Sequence, residues 1–235
     1  MKHINMSMMR AFAVLAALAL LSSPALAATV TLNADATQLK GRPFDLNVSV
    51  DAIGAAYGIA FDLVYDPEYL EVVDLENGLP VQPSTTEGTL FNNAGADPTI
   101  LRAALQEDVP GTLVLGLTRS GDIGAVSAVS ETDIISVSFI PKKVGTTSVT
   151  FQAQAIMDAS DNPATVDLWS PITMDIEILK GDVDGSFVVD MADAIQVLKI
   201  MIGIANDANL DSDVDGAGKI SLEEAIYILQ TVSEQ

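Results

Sequence analysis

Gly58-Ile59-Ala60-Phe61-Asp62-Leu63-Val64-Tyr65-Asp66-Pro67 is the stretch that decides the fold. Ile59, Phe61, Leu63 and Tyr65 recur at every second position, the period of a strand that buries one face and wets the other. Asp66-Pro67 then ends the run in a turn, with proline presetting its own backbone angle. The same period returns in Ile135, Val137 and Phe139, and in Met174, Ile176 and Ile178 set against Thr173, Asp175 and Glu177. Further strands are predicted at Thr29 to Asn33, Phe44 to Val50, Leu70 to Leu75, Leu113 to Thr118 and Ser148 to Gln152. Turn clusters of Gly, Pro, Asn and Asp separate them, and no long helical period interrupts residues 28–179. Two packed antiparallel sheets, a sandwich or jelly roll, are therefore expected there. Asn77 to Asp97, with Pro80, Pro83, Gly88, Asn92, Asn93 and Gly95, lacks a pattern and is predicted to be a long loop.

Upstream of this region the chain has the layout of an export signal. Lys2 and Arg10 precede an apolar run from Ala11 to Leu21, followed by Ser22, Ser23, Pro24 and the small-residue site Ala25-Leu26-Ala27. Residues 1–27 are expected to be a cleaved signal peptide, and the protein to be secreted or displayed at the cell surface. The run is shorter than the roughly 20 apolar residues that span a bilayer, so no membrane span is predicted. Cleavage would remove Lys2, Arg10 and the sole histidine but none of the 32 acidic residues, making a net charge of −21 more negative still. Such a chain repels nucleic acid and anionic lipid and suits cations. The absence of cysteine excludes disulfides, thiolate metal sites and cysteine nucleophiles.

The run Gly58 to Pro67, followed by Leu70-Glu71-Val72-Val73, resembles the signature of cohesin modules, and the resemblance extends over most of Ala28 to Leu179. The opening strand, the Ile135 to Phe139 strand and the last alternating strand also have counterparts in that family. The resemblance implies a nine-stranded jelly roll that binds a dockerin partner through one sheet face. It also implies a protein without catalytic activity. Consistently, the sequence holds no Gly-Xaa-Ser-Xaa-Gly elbow, phosphate loop or His-Glu-Xaa-Xaa-His run. Paired carboxylates such as Asp62 and Asp66 are too common in so acidic a chain to mark a glycosidase. Trp169 with Tyr57 and Tyr69 would be the material for a sugar platform, which makes a carbohydrate-binding module the alternative reading; a Trp169 packed in the interior is expected instead.

The C-terminal segment repeats itself. Asp182-Val183-Asp184-Gly185 returns as Asp213-Val214-Asp215-Gly216, and Asp193-Ala194-Ile195 as Glu224-Ala225-Ile226. Each acidic loop leads into a predicted amphipathic helix, with an apolar stripe of Ile195, Leu198 and Ile202 in the first and Ile226, Leu229 and Val232 in the second. The spacing is that of EF-hand calcium loops, with oxygen ligands at positions 1, 3, 5, 7, 9 and 12. The first loop supplies Asp182, Asp184, Ser186, the Val188 carbonyl, Asp190 and Asp193. The second supplies Asp213, Asp215, the Lys219 carbonyl, Ser221 and Glu224, with Ala217 where a fifth-position ligand belongs. Phe187 occupies position 6 of the first loop, where glycine is wanted, and Gly218 that of the second. Oxygen donors without His or Cys point to two Ca2+ sites rather than zinc or copper, with affinities of roughly 10⁻⁴ to 10⁻³ M.

Two loop–helix units lacking the leading helix of a full EF-hand resemble a dockerin module, small and all-α, over Gly181 to about Ser233, so residues 180–235 are expected to form a second domain. By that resemblance, loop positions 10 and 11 choose the partner: Met191 and Ala192 in one copy, Leu222 and Glu223 in the other. The whole is then a calcium-dependent protein–protein adaptor, serving extracellular polysaccharide degradation or surface assembly. Its expected partners carry cohesins or dockerins, with a polysaccharide as a further candidate. The short junction Leu179-Lys180-Gly181 disfavours folding back on itself and favours head-to-tail self-association.

Overall fold

The computed structural model describes residues 28–75, 81–160, 162–205 and 207–234. The expected signal at 1–27, and Asn77 and Pro80 of the expected long loop, lie outside them. The chain runs β1 (Thr29–Asn33), β2 (Thr37–Leu39), β3 (Phe44–Asp51), β4 (Gly58–Tyr65), β5 (Leu70–Val72), β6 (Thr85–Glu87), α1 (Thr89–Asn92), β7 (Thr99–Leu105) and β8 (Thr112–Arg119). It continues through β9 (Thr132–Pro141), β10 (Gly145–Met157), β11 (Leu168–Ser170), β12 (Ile172–Glu177), α2 (Met191–Met201) and α3 (Leu222–Ser233).

The strands form two six-stranded sheets. One has the order β11-β1-β3-β9-β5, with β6 also on β9; the other runs β2-β12-β10-β4-β8-β7. The pairings are antiparallel except β1 with β11 and β2 with β12. Alternation places Ile59, Phe61, Leu63 and Tyr65 of β4 beside Leu113, Leu115 and Leu117 of β8 on the inner face. Leu46, Val48, Ile135, Val137 and Phe139 face them from the other sheet, all buried. Each such side chain removed from water contributes about 1.5–3 kcal/mol, so this shared interior is what holds the two sheets together. Tyr65 meets Phe139 edge-on at 5.1 Å between ring centroids, and Phe44 stacks on Phe139 at 6.1 Å.

Among the described residues twelve strands stand in place of the nine expected. The extra ones are mostly short: β2, β6 and β11 have three residues each, too few to display a period. The stretch expected as a long loop also holds structure, for β6 and α1 lie within it, and Leu90 and Phe91 of α1 are buried. Gly88 allows that approach, because a side chain there would begin 2.3 Å from the Asp133 carbonyl oxygen. Arg119 secures the segment from the end of β8, donating from Nη2 to Asp97 Oδ2 at 2.7 Å and from Nη1 to the Phe91 carbonyl.

After β12 the chain enters a smaller core. Val183, Val189, Ala194, Val197, Ile220, Ala225 and Ile228 are buried together, with Leu179, Ile200, Ala208 and Val232 packed against them. Val189 and Ile220, the apolar residues at the eighth position of each loop, both belong to it. The expected stripe, however, faces the other way. Ile195, Leu198, Ile202, Ile226 and Leu229 are exposed, and only Val232 of the six packs inward. Both helices carry a second apolar face, built of Ala194 and Val197 in α2 and Ala225 and Ile228 in α3, and its smaller alanines let the two helices approach closely.

Candidate metal loops and partner faces

Each loop owes its shape to backbone that bends through the left-handed region. Gly185, Gly216 and Gly218 have φ of 74°, 77° and 73°, and Phe187 has 65°. Glycine takes this conformation freely, whereas for a side-chain-bearing residue it costs about 1–2 kcal/mol. Phe187 thus takes the expected turn at position 6 under strain, and its twin Gly218 takes it without.

The bends gather carboxylates. Asp182, Asp184 and Asp193 each offer an oxygen within 4.8 Å of the others, and Asp213, Asp215 and Glu224 do the same in the second loop. Asp182, Asp193, Asp213 and Glu224 are buried while Asp184 and Asp215 lie open. Two carboxylates about 4 Å apart repel by ~1 kcal/mol in water and several times more at an effective dielectric near 20. Loop N–H groups offset part of this. Phe187 donates to Asp182 Oδ2 at 3.2 Å, while Gly216 and Gly218 donate to the two oxygens of Asp213 at 2.8 and 2.6 Å.

The loops differ in how well those bonds compensate. Burial pushes the Asp182 carboxyl above its ordinary range, and the Asp193 and Asp184 charges add to it, against the bond from Phe187. In Asp213 burial pushes the same way but is outweighed by the bonds from Gly218 and Gly216, so its pKa lies below the ordinary value. Asp182 Oδ1 is buried without a hydrogen-bond partner. An orphaned carboxylate oxygen beside two more carboxylates is a donor set that a hard divalent cation satisfies, so the residues present fit such an ion.

The remaining expected ligands surround these clusters in other roles. The Asp190 carboxylate caps α2 by accepting from Ala192 N–H at 2.6 Å, outside the carboxylate group. Ser186 Oγ donates to the Val188 carbonyl at 3.2 Å, and Ser221 Oγ to Glu224 Oε2 at 3.1 Å and also to Glu223. Lys219 is exposed beside them. Met191, Ala192, Leu222 and Glu223, the expected partner residues, are all exposed at the helix starts. Sequence reasoning missed the companions that follow them, since a 3.6-residue period does not say which of two apolar faces turns outward.

On the sandwich, the outer face of β10, β4, β8 and β7 is shelf-like. Its cross-strand rows read Met157, Gly58, Thr118 and Ile100, then Ala155, Ala60, Gly116 and Arg102. A β-bulge between Gln152 and Ala155, with Ala153 at φ 49°, brings Ala155 into its row. Short side chains at Gly58, Ala60, Gly116 and Ala155, with the longer Met157, Ile100 and Arg102 at its border, leave a shallow, mainly apolar depression of about 370 Å³. Trp169, by contrast, is half-buried against Phe61 and Phe151, with ring centroids 6.2 and 5.0 Å away, and is spent on the core.

The class this architecture defines is a two-sheet β-sandwich with one shallow, mainly apolar outer face. The family model for the cohesin domain matches residues 26–175, and the chain belongs to that family. Several solved cohesins resemble it. The type II cohesin of a cohesin–X-dockerin complex from Acetivibrio cellulolyticus has a TM-score of 0.51 at 18% identity, covering 64% of this chain and 99% of that one. A second type II cohesin domain, from the cellulosome of the same organism, has 0.50 at 15%, covering 63% and 95%. A non-cellulosomal cohesin from the hyperthermophilic archaeon Archaeoglobus fulgidus has 0.48 at 17%, covering 64% and 91%. At these identities the likeness to the two Acetivibrio cellulolyticus domains bears on the fold of the sandwich alone. No curated protein matches the chain. Among the described residues no helix is long and apolar enough to cross a membrane.

Proposed function

We propose that this cohesin-family protein is an exported, calcium-dependent adaptor whose C-terminal segment, residues 180–235, is a dockerin-like plug. In this reading the flat face of β10, β4, β8 and β7 receives a dockerin-bearing partner. The paired helices α2 and α3 enter someone else's cohesin. Calcium in the loops, held by Asp182, Asp184 and Asp193 and by Asp213, Asp215 and Glu224, would neutralise the gathered carboxylates and fix the helix starts.

The observation that carries the reading is the exposure of one apolar face on both helices. Met191, Ile195, Leu198 and Ile202 on one, and Leu222, Ile226 and Leu229 on the other, are each 47–69% exposed. Seven large apolar side chains left in water around so small a core suit a protein partner far better than solvent. The junction between the sandwich and that segment is short, so any recognition of this chain's own cohesin face proceeds between molecules, head to tail.

Affinity capture from the producing organism's secreted proteins, with calcium and with chelator, tests the adaptor role. Retention of a cohesin- or dockerin-bearing protein only in calcium is the expected result, and identical sets of proteins in both buffers would refute it. Sedimentation in the same two buffers tests self-association: calcium-dependent growth beyond the monomer is expected. An unchanged monomer at high concentration counts against it.

A further inference from the structure

We infer that Phe187 is a lock between the sandwich and the C-terminal unit, a ring carried by the first loop in order to hold that loop against the sandwich. The loop itself does not need it. At the matching position Gly218 takes almost the same φ, 73° against 65°, with no side chain. What Phe187 adds lies outside the loop. Its Cε1 and Cζ atoms are 3.9 Å from the point where a side chain on Gly41 would begin, so the ring rests over the turn between β2 and β3. Gly41 is glycine for its own reason, a φ of 83°, and the ring lies at ordinary contact distance from it.

Neighbouring contacts point the same way. Lys40, next to Gly41, bonds Asp211 at 2.6 Å across the junction. Lys180 of the junction donates to the Asp213 carbonyl, and Gly181 N–H donates to the Ser212 carbonyl at 3.1 Å. Slack is missing too: β12 ends at Glu177, and Leu179 already packs in the second core. One covalent link would leave the helix pair free to swing. A ring contact and an ion pair, both beside the β2 end and both reaching the C-terminal unit, remove that freedom. The two units then move as one body, with the exposed helix face held in a fixed direction relative to the sandwich, and Phe187 is a positioning residue that acts through Gly41.

The chain has no cysteine, so two introduced ones give unique attachment points for spin labels. Asp108→Cys on the sandwich and Gln230→Cys on α3 are both exposed sites. Pulsed electron–electron distance measurement on the whole chain in calcium should give a single narrow distance. Phe187→Gly should lose that narrow peak while calcium still binds, at least as tightly as in the parent because position 6 is relieved of its strain. Phe187→Tyr, which keeps the ring, should retain the peak, and Lys40→Glu, which turns the ion pair with Asp211 into a repulsion, should broaden it. A narrow peak that survives Phe187→Gly overturns the inference, as does a broad distance in the parent chain. Because the calcium heat is read separately, neither result would bear on the metal reading.

Discussion

Asp193 accepts the backbone N–H of Val183 at 2.7 Å, joining the start of the first loop to the first turn of the helix that follows it. The same oxygen takes Asp184 N–H at 3.1 Å and the other takes Asp190 N–H at 2.9 Å. Glu224 repeats the device one methylene longer, accepting Val214 N–H at 3.2 Å and Ser221 N–H at 2.6 Å. Each carboxylate is therefore both the last residue of a candidate ligand set and the reciprocal half of a capping box.

Replacing either one should separate these roles from the rest of the chain. Asp193→Ala orphans buried N–H groups and removes the reciprocal half of the capping box that Asp190 begins, at a cost of about 1–3 kcal/mol for a buried donor left unpaired. Glu224→Ala should behave alike in the other loop. Calorimetric titration of each variant should register one calcium site where the parent registers two, and circular dichroism should report the helices melting earlier. The β-signal of the sandwich should not move.

The strong periods were legible and the weak ones were not. Phe61, Leu63, Val137, Phe139 and Met174 all sit where alternation put them, because a half-buried strand of five or more residues writes its period into the sequence. The three-residue edge strands write nothing, and α1 is held by Phe91 falling into the sandwich rather than by any helical pattern. In the candidate site, the carboxylate spacing was readable because loop ligands follow chain order. The outward turn of Ile195 and Ile226 was not: Ala194 and Ala225 look weaker as core residues, and only the close packing of α2 on α3 decides between the faces.

Tyr65 should ionise only well above the ordinary range of a phenol. Burial, reinforced by the negative charge of Glu71, pushes its phenol from 10.0 up to about 12. The folded chain then holds this proton more tightly than the unfolded chain does, so stability is complete below pH 10, falls as the pH climbs towards about 12 and levels off beyond. Denaturant titrations across that interval should show a decline in the parent that Tyr65→Phe lessens. Ultraviolet titration should show one phenol fewer ionising in its upper range.

Arg119 and Asp97 form the ion pair on which the β6–α1 excursion depends. The arginine side chain is 4% exposed and its partner 24%, so the charge has little water to fall back on. Asp97→Ala would leave a buried guanidinium with only the Phe91 carbonyl for company. Breaking a buried pair in this one-sided way costs on the order of 3–5 kcal/mol, with the lower end expected where one partner is partly wet. Urea unfolding monitored at the sandwich should report a loss in that range. Arg119→Met together with Asp97→Ala should recover part of it, since no charge is then stranded.

Ile195 and Ile226 separate partner binding from metal binding. Both are about half exposed, at 50% and 48%, and neither belongs to the core that holds α2 against α3. A carboxylate at either place therefore meets water in the free protein and costs the fold little, while a partner that covers the face must strip that charge of its solvent. Ile195→Glu with Ile226→Glu should leave the calcium heat and the melting curve of the chain close to those of the parent. Calcium-dependent capture should drop by tenfold or more, the ~1.4 kcal/mol that even a partly desolvated charge exacts. Undiminished capture by the double variant would mean that the partner approaches from another side of the helices, and the exposed apolar face would then need a different explanation.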